Sequence, residues 1–308
     1  MTTAGFPGDA DDFGELIDPH LHELHRHCYR MLGSVEDADE VLQETLLAAW
    51  QGLPGFEGRA SVRTWLYRIA TNRCLNAIRD GKRRPRTTPT PPFDPPPPSE
   101  HHPATWIQPY VTAESPAHSQ ERREHIELAF ITALQMLPPR QTAVLLLIDV
   151  LGFSLAETAE LLDSGTTPVK GLLQRARATV EARSGSPERP SRSDQRVIAD
   201  RFARSFANDD IEGVLSLLTD RAWLAMPPAP HLYRGHEKIG AFLEASIGWR
   251  RDSRTLSLTP LWTNAAPGFA VHMSGPGGWQ PAGIIALELV ADGVAGITRF
   301  LGVQADGS

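Results

Sequence analysis

"SLAETAELLDSGTTPVKGLLQRAR", residues 154–177, decides how this chain is read. Ser154 is a natural N-cap, and Glu157 three positions on completes a capping box for a short helix. A tight turn follows. Thr167 then reads as the N-cap of a second helix, with Pro168 as its first residue, where the missing N–H costs nothing. In that helix Val169, Leu172, Leu173, Ala176 and Val180 face a core. Lys170, Gln174 and Arg177 recur at i, i+4, i+7 on the opposite side, with Gly171 and Arg175 beside them. A capped short helix, a turn and a helix with a basic outer face make a helix-turn-helix, whose second helix enters a major groove. The bland alternative is a helical hairpin with a solvated basic face.

Upstream, one helix runs to Leu137 and stops before Pro138. "PPRQTAVLLLIDVLG" (138–152) gives another, opened by Pro and closed by Gly152. Further upstream the pattern is again helical. In "DPHLHELHRHCYRMLGS" (18–34) Leu21, Leu24, Cys28 and Met31/Leu32 share a face, and Gly33 ends the helix. The next helix starts at Ser34 with acidic residues, which suit a helix N-terminus. Val41, Leu42, Thr45, Leu46 and Ala49 form its buried stripe, leaving Asp37, Glu40, Gln43 and Glu44 to a partner. A third helix buries Leu66, Ile69/Ala70, Cys74 and Ala77/Ile78. Its Arg68, Asn72, Asn76 and Arg79 lie on one polar stripe, with Arg63 and Arg73 near by. Between Arg59 and Arg86 the cations include Lys82, Arg83 and Arg84, and Asp80 is the only acid. Cations release counterions from phosphates and amides pair with base edges, so this segment fits nucleic acid as well as a plain solvated face.

The net charge of the whole chain is −7 over 308 residues, so the basic faces are local. No apolar run is long enough to span a membrane, and the acidic N-terminus lacks a signal-peptide core. A cytoplasmic protein is expected. Cys28 and Cys74 fall inside helices, so no disulfide framework is expected. His20, His22, His25, His27 and Cys28 lie close together, but no second ligand pair at finger spacing exists, so we expect neither metal nor cofactor. The 26 prolines are unevenly placed, with a dense cluster in residues 85–110. That stretch reads as a linker without secondary structure. The expected organisation is a first block 10–84, a Pro-rich linker 85–114, a second block 115–183, a linker 184–194 and a third block 195–308.

"CYRMLGSVEDADEVLQETLLAAW" and "RTWLYRIATNRCLNAIRDGKRR" resemble the second conserved region of extracytoplasmic-function sigma factors, small members of the sigma-70 family. "LPPRQTAVLLLIDVLGFSLAETAELL" through "QRARATV" resembles their fourth region. The resemblance implies two all-α domains, a helical bundle and a helix-turn-helix. It implies that Asp37, Asp39, Glu40, Gln43 and Glu44 dock on the clamp of bacterial RNA polymerase core, whose clamp and flap regions are the expected partners. Promoter DNA is the other. Arg63, Arg68, Asn72, Arg73, Asn76 and Arg79 would lie along the −10 element. Thr167, Lys170, Gly171, Gln174, Arg175 and Arg177 would read the −35 element.

The third block begins with helices and continues as strand-like runs, with "ADG" as a hairpin turn signal. That order indicates an α+β sheet curled around helices. "LLTDRAWLAMPP", "YRGHEKIGAFL" and "DGVAGITRF" resemble the SnoaL-like, ketosteroid-isomerase-like cone fold. Asp220, His231, Tyr233, His236 and His272 are candidates to line the cone, where a small ligand would sit. None forms a recognisable catalytic pair, so a regulatory domain is expected rather than an enzyme. A free-standing helix-turn-helix regulator and a SnoaL-type isomerase or cyclase are the alternatives.

Overall fold

In the computed structural model the described residues are 10–81, 91–101, 107–112, 128–181, 190–227, 229–250, 254–264, 266–275 and 277–303. The cations Lys82, Arg83, Arg84 and Arg86, together with Trp106 and the start of the helix ahead of Leu137, lie outside them. The chain divides into two compact units: Met1–Arg84 with Ala129–Ser184, and Pro85–Leu128 with Gly185–Ser308.

In the first unit α1 (Ala10–Leu32), α2 (Val35–Gly52) and α3 (Val62–Arg79) pack on one another. Gly33 ends α1 at φ 76°, a left-handed position open to glycine. The Asp37 amide donates to the Ser34 hydroxyl, and the Thr64 amide donates to Ser61, so both following helices are capped. Leu24, Cys28, Val41, Ala49, Leu66, Ala70 and Cys74 are buried. The unit continues with α4 (Leu128–Gln135), α5 (Pro139–Leu145) and a wider turn at Leu146–Val150. Then come α6 (Leu155–Leu161) and α7 (Thr166–Glu181). Both bonds of the Ser154–Glu157 capping box form, at 3.2 and 2.8 Å. They draw the Glu157 pKa below the ordinary carboxylate value. One detail is corrected: α7 begins at Thr166. Thr167 is therefore inside the helix rather than its cap, and Pro168 is third. Pro is tolerated there because the first four helical N–H groups lack intrahelical acceptors anyway.

The second unit is α+β. It holds α8 (Arg192–Ala207), α9 (Ile211–Leu215), α10 (Gly235–Arg250) and eight strands: β1 (Glu100–His101), β2 (Val111–Thr112), β3 (Leu218–Met226), β4 (Ala229–Arg234), β5 (Leu256–Thr263), β6 (Ala266–Gly275), β7 (Gly278–Val290) and β8 (Gly293–Phe300). Their order in the sheet is β1-β4-β3-β8-β7-β6-β5-β2, antiparallel except for β3–β8. Phe202, Leu224, Tyr233, Phe242, Phe269, Ile285 and Ile297 belong to one core cluster. These are the helices followed by a strand meander that the sequence indicated.

The Pro-rich stretch departs from the expected linker. It supplies β1 and β2, which occupy opposite edges of the sheet. A two-residue edge strand needs few backbone donors, so neighbouring prolines do not prevent it. Glu100 pairs with Leu232, and the Ser99 amide donates to the Leu232 carbonyl. Val111 pairs with Thr263, while Tyr110 and Asn264 exchange two bonds of 2.9 Å. The Tyr233 hydroxyl donates to the Pro96 carbonyl at 3.0 Å, and Phe93 packs 5.5 Å from Phe242. Covering both edges removes unpaired strand backbone that would otherwise recruit another chain.

Candidate nucleic-acid interface

On α3, Arg68, Arg73, Asn76 and Arg79 are exposed, while Arg63 and Asn72 are half-buried. The arginines have intramolecular partners. Arg63 Nη2 donates to the Leu151 carbonyl at 2.6 Å. Its guanidinium also lies 4.4 Å from the Phe153 ring centroid and 5.3 Å from that of Tyr67. Arg68 pairs with Asp163 at 2.7 Å, across 95 residues of sequence. Arg73 reaches Glu44 at 3.6 Å, and Arg79 reaches its neighbour Asp80. Two arginines of the first block thus close onto the turns on either side of α6 in the second. Trp65 stacks on Phe56 at 4.7 Å, half-buried.

Beneath this face is a buried polar seat. His27 Nε2 lies 2.9 Å from the Thr71 hydroxyl, and the ring meets Tyr67 edge-on at 5.2 Å. Burial, and then the charge of Arg30, lower the His27 pKa to about 3. Burial, and then Glu23, raise that of Tyr67. The histidine run does not gather at one point: His25 pairs with Asp39 at 3.0 Å, and His27 faces Thr71. Among the described residues no group of three or more His, Cys, Asp or Glu could hold a metal ion.

On α7, Thr167, Lys170, Gln174 and Arg175 are exposed and Gly171 is half-buried. Arg177 differs. It forms a two-pronged pair with Asp149 at 2.9 and 2.6 Å, and that hydrogen bonding raises its pKa. Val169, Leu173 and Ala176 seat the helix.

On α2, Asp39, Glu40 and Gln43 are exposed, whereas Asp37 and Glu44 are half-buried. Sequence reasoning overlooked two residues on this surface. Leu47 is 58% exposed and Trp50 42%, and the Phe13 ring meets Trp50 edge-on at 5.0 Å. With Glu36, Glu40 and Gln43 they complete an i, i+4, i+7, i+11, i+14 stripe, a pattern readable once Leu46 and Ala49 are placed inward. The stripe is acidic at its start and apolar at its end.

In the second unit the cone candidates have different surroundings. Asp220 and His236 are exposed, and His236 Nε2 lies 3.3 Å from the Leu218 carbonyl. Tyr233 is in the core cluster, with its hydroxyl on Pro96 and its pKa raised by burial. His231 sits beside it at 6.5 Å, ring to ring. His272 follows the core residue Val271 at a register shift and is half-buried. The irregular register between Leu218 and Trp223 accompanies an exposed Asp220.

Residues 16–84 match Sigma-70 region 2 and residues 127–180 match Sigma-70, region 4. The ECF RNA polymerase sigma factor SigG of Mycobacterium tuberculosis is 38% identical over 303 residues, covering 94% of this chain and 81% of SigG. SigM of the same organism is 32% identical over 180 residues, covering 58% of this chain and 80% of SigM. The crystal structure of the M. tuberculosis extracytoplasmic function sigma factor SigJ aligns with TM-score 0.65 at 19% identity, over 95% of this chain and 96% of that one. That is a likeness of fold across nearly the whole chain.

Proposed function

The chain belongs to the ECF RNA polymerase sigma factors of the sigma-70 family, and on that premise we propose how its surfaces divide the work. It is a sigma factor, which binds core polymerase and directs promoter-specific transcription initiation. The α2 stripe docks on the polymerase clamp, with Leu47 and Trp50 adding apolar contact to the carboxylates. The α3 face follows the −10 element. Lys170, Gln174 and Arg175 enter the groove at −35, and Arg177 fixes α7 through Asp149. The observation that carries this division is one helical unit presenting an acidic stripe on α2 and cationic faces on α3 and α7.

The packed arrangement is the form held off DNA. The −10 and −35 elements are roughly 25 base pairs apart, about 85 Å at about 3.4 Å per step. Arg68 and Asp163, from the two blocks, are 2.7 Å apart. Reading both elements at once requires these blocks to separate, which exchanges carboxylate and carbonyl partners for phosphates.

The second unit modulates this opening. It holds the segment joining the two DNA-binding blocks as edge strands, so removing it frees that segment. It works in the cytoplasm beside polymerase, in a regulatory rather than a catalytic role. Among the described residues no helix is long and apolar enough to cross a membrane. Co-migration with core polymerase and run-off transcription test the reading, comparing full-length chain with a truncation after Arg183. Failure to bind core polymerase sinks it, and unchanged rate and promoter choice after truncation removes the modulatory role.

A further inference from the structure

The second unit brings two guanidinium groups to one helix end: Arg250 bonds Asp209, and Arg299 lies over Phe206, whose carbonyl accepts from the Asp209 amide. Arg250 closes α10 with its side chain 5% exposed. Its Nη2 donates to Asp209 Oδ1 at 2.6 Å. Its Nε and Nη1 are buried and without a partner. A guanidinium carries five N–H donors in a fixed fork, so one short bond leaves most of its donor capacity unused. Arg299, on β8, lies opposite the core residue Ile285 and two positions beyond the core residue Ile297. Its guanidinium carbon is 5.9 Å from the Phe206 ring centroid. Among the described residues no carboxylate pairs with it. Burial, and then the like charge of Arg250, lower its pKa to about 10.

Like charges brought together away from water are unfavourable unless a counter-charge joins them. Asp209 is one such charge, 37% exposed, already bonded to Arg250. Arg250 contributes unused, rigidly held donors. Arg299 contributes a half-buried fork over an aromatic ring. Forked donors suit a planar or tetrahedral oxyanion, which accepts two bonds at once. We propose that Arg250 and Arg299 form a binding site for a small oxyanion, a carboxylate or phosphate, at the end of α10. Neither arginine is among the cone candidates Asp220, His231, Tyr233, His236 and His272. It gives the unit a way to register a metabolite of that chemistry.

The test uses the full-length chain. Thermal unfolding and titration calorimetry are run with inorganic phosphate and with succinate, against sodium chloride at matched ionic strength. One oxyanion gives a saturable rise in Tm of a few degrees, and chloride does not. Which anion does so identifies the class. Arg299→Gln weakens that binding about tenfold or more, and Arg299→Lys, which keeps charge but not the fork, falls between. Without anion, Arg299→Gln melts at or above wild type, because it removes a repelled charge. A structural role for Arg299 moves that Tm the other way. Two results overturn the proposal: no saturable response to either anion, or binding unchanged in Arg299→Gln.

Discussion

Replacing Phe153 by Leu tests whether the two DNA-binding blocks hold each other shut. Phe153 is 4% exposed, meets Tyr67 edge-on at 5.5 Å, and lies 4.4 Å below the Arg63 guanidinium. Leucine keeps most of the apolar fill but removes the ring. The aromatic pair is worth about 0.5–1.5 kcal/mol beyond its area, and the cation–π contact of a half-buried arginine about 0.5–1 kcal/mol. The Arg63 bond to the Leu151 carbonyl uses backbone and survives. The sum is about 1.5 kcal/mol, a roughly tenfold shift from closed towards open. Dyes on cysteines introduced at the exposed positions Gln43 and Gln174 report the separation by energy transfer, since native Cys28 and Cys74 are buried. A cycle with Arg63→Met isolates the shared part, expected at about 0.5–1 kcal/mol. A folded Phe153→Leu variant with the wild-type distance distribution and zero coupling to Arg63 refutes the latch.

Acid should loosen the first block through His27. Its folded pKa of about 3 lies below the unfolded 6.5, so the native state refuses a proton that the unfolded chain takes. Its contribution to stability is full above pH 6.5 and falls by about 1.4 kcal/mol per unit below it, about 2 kcal/mol by pH 5. Urea melts of His27→Gln, which keeps a partner for Thr71, should show a flatter profile; an equal slope contradicts the assignment. Trp50→Ala should weaken core polymerase binding by about 30-fold or more if Trp50 is an anchor, measured by fluorescence titration, with promoter choice unaltered. Lys170→Ala and Arg175→Ala should lower output only from promoters that retain a −35 element, and Asn76→Ala only from those that depend on −10. A series of element-swapped templates separates the two, and uniform loss across the series contradicts the division.

Local signals carried the helical unit well. Serine caps at 34, 61 and 154 act over three residues, so their bonds are readable from sequence, and all form. The state of the arginines was not readable. Arg63 and Arg68 meet Leu151 and Asp163, 88 and 95 residues away, and only tertiary packing brings these pairs together. Arg26, His27 and Arg30 look like a solvated face of α1 yet are buried. The Pro-rich stretch reads as a breaker because proline removes donors. Its strands are two-residue edge pairings whose partners lie more than a hundred residues on, at Leu232 and Thr263. The surroundings of Asp220 were equally hard to read: it sits at a register shift, and such a shift decides which face of a strand a side chain takes.

The internal partners explain how an acidic chain can carry promoter-binding faces without occupying DNA indiscriminately. Nonspecific affinity grows with the number of phosphates neutralised, so every cation withheld weakens it. Asp163, Asp149 and Glu44 withhold Arg68, Arg177 and Arg73 respectively, and the Leu151 carbonyl holds Arg63. These pairs are half exposed and individually weak, about 0–1 kcal/mol each. Weakness suits the task. A strong pair would resist the exchange for phosphate, whereas weak ones yield to it. Lys170 and Arg175 stand apart: among the described residues neither has an ion pair. On the proposed division, Lys170 and Arg175 are thus presented before opening, whereas Arg63 and Arg68, the two arginines held across the blocks, are uncovered by it.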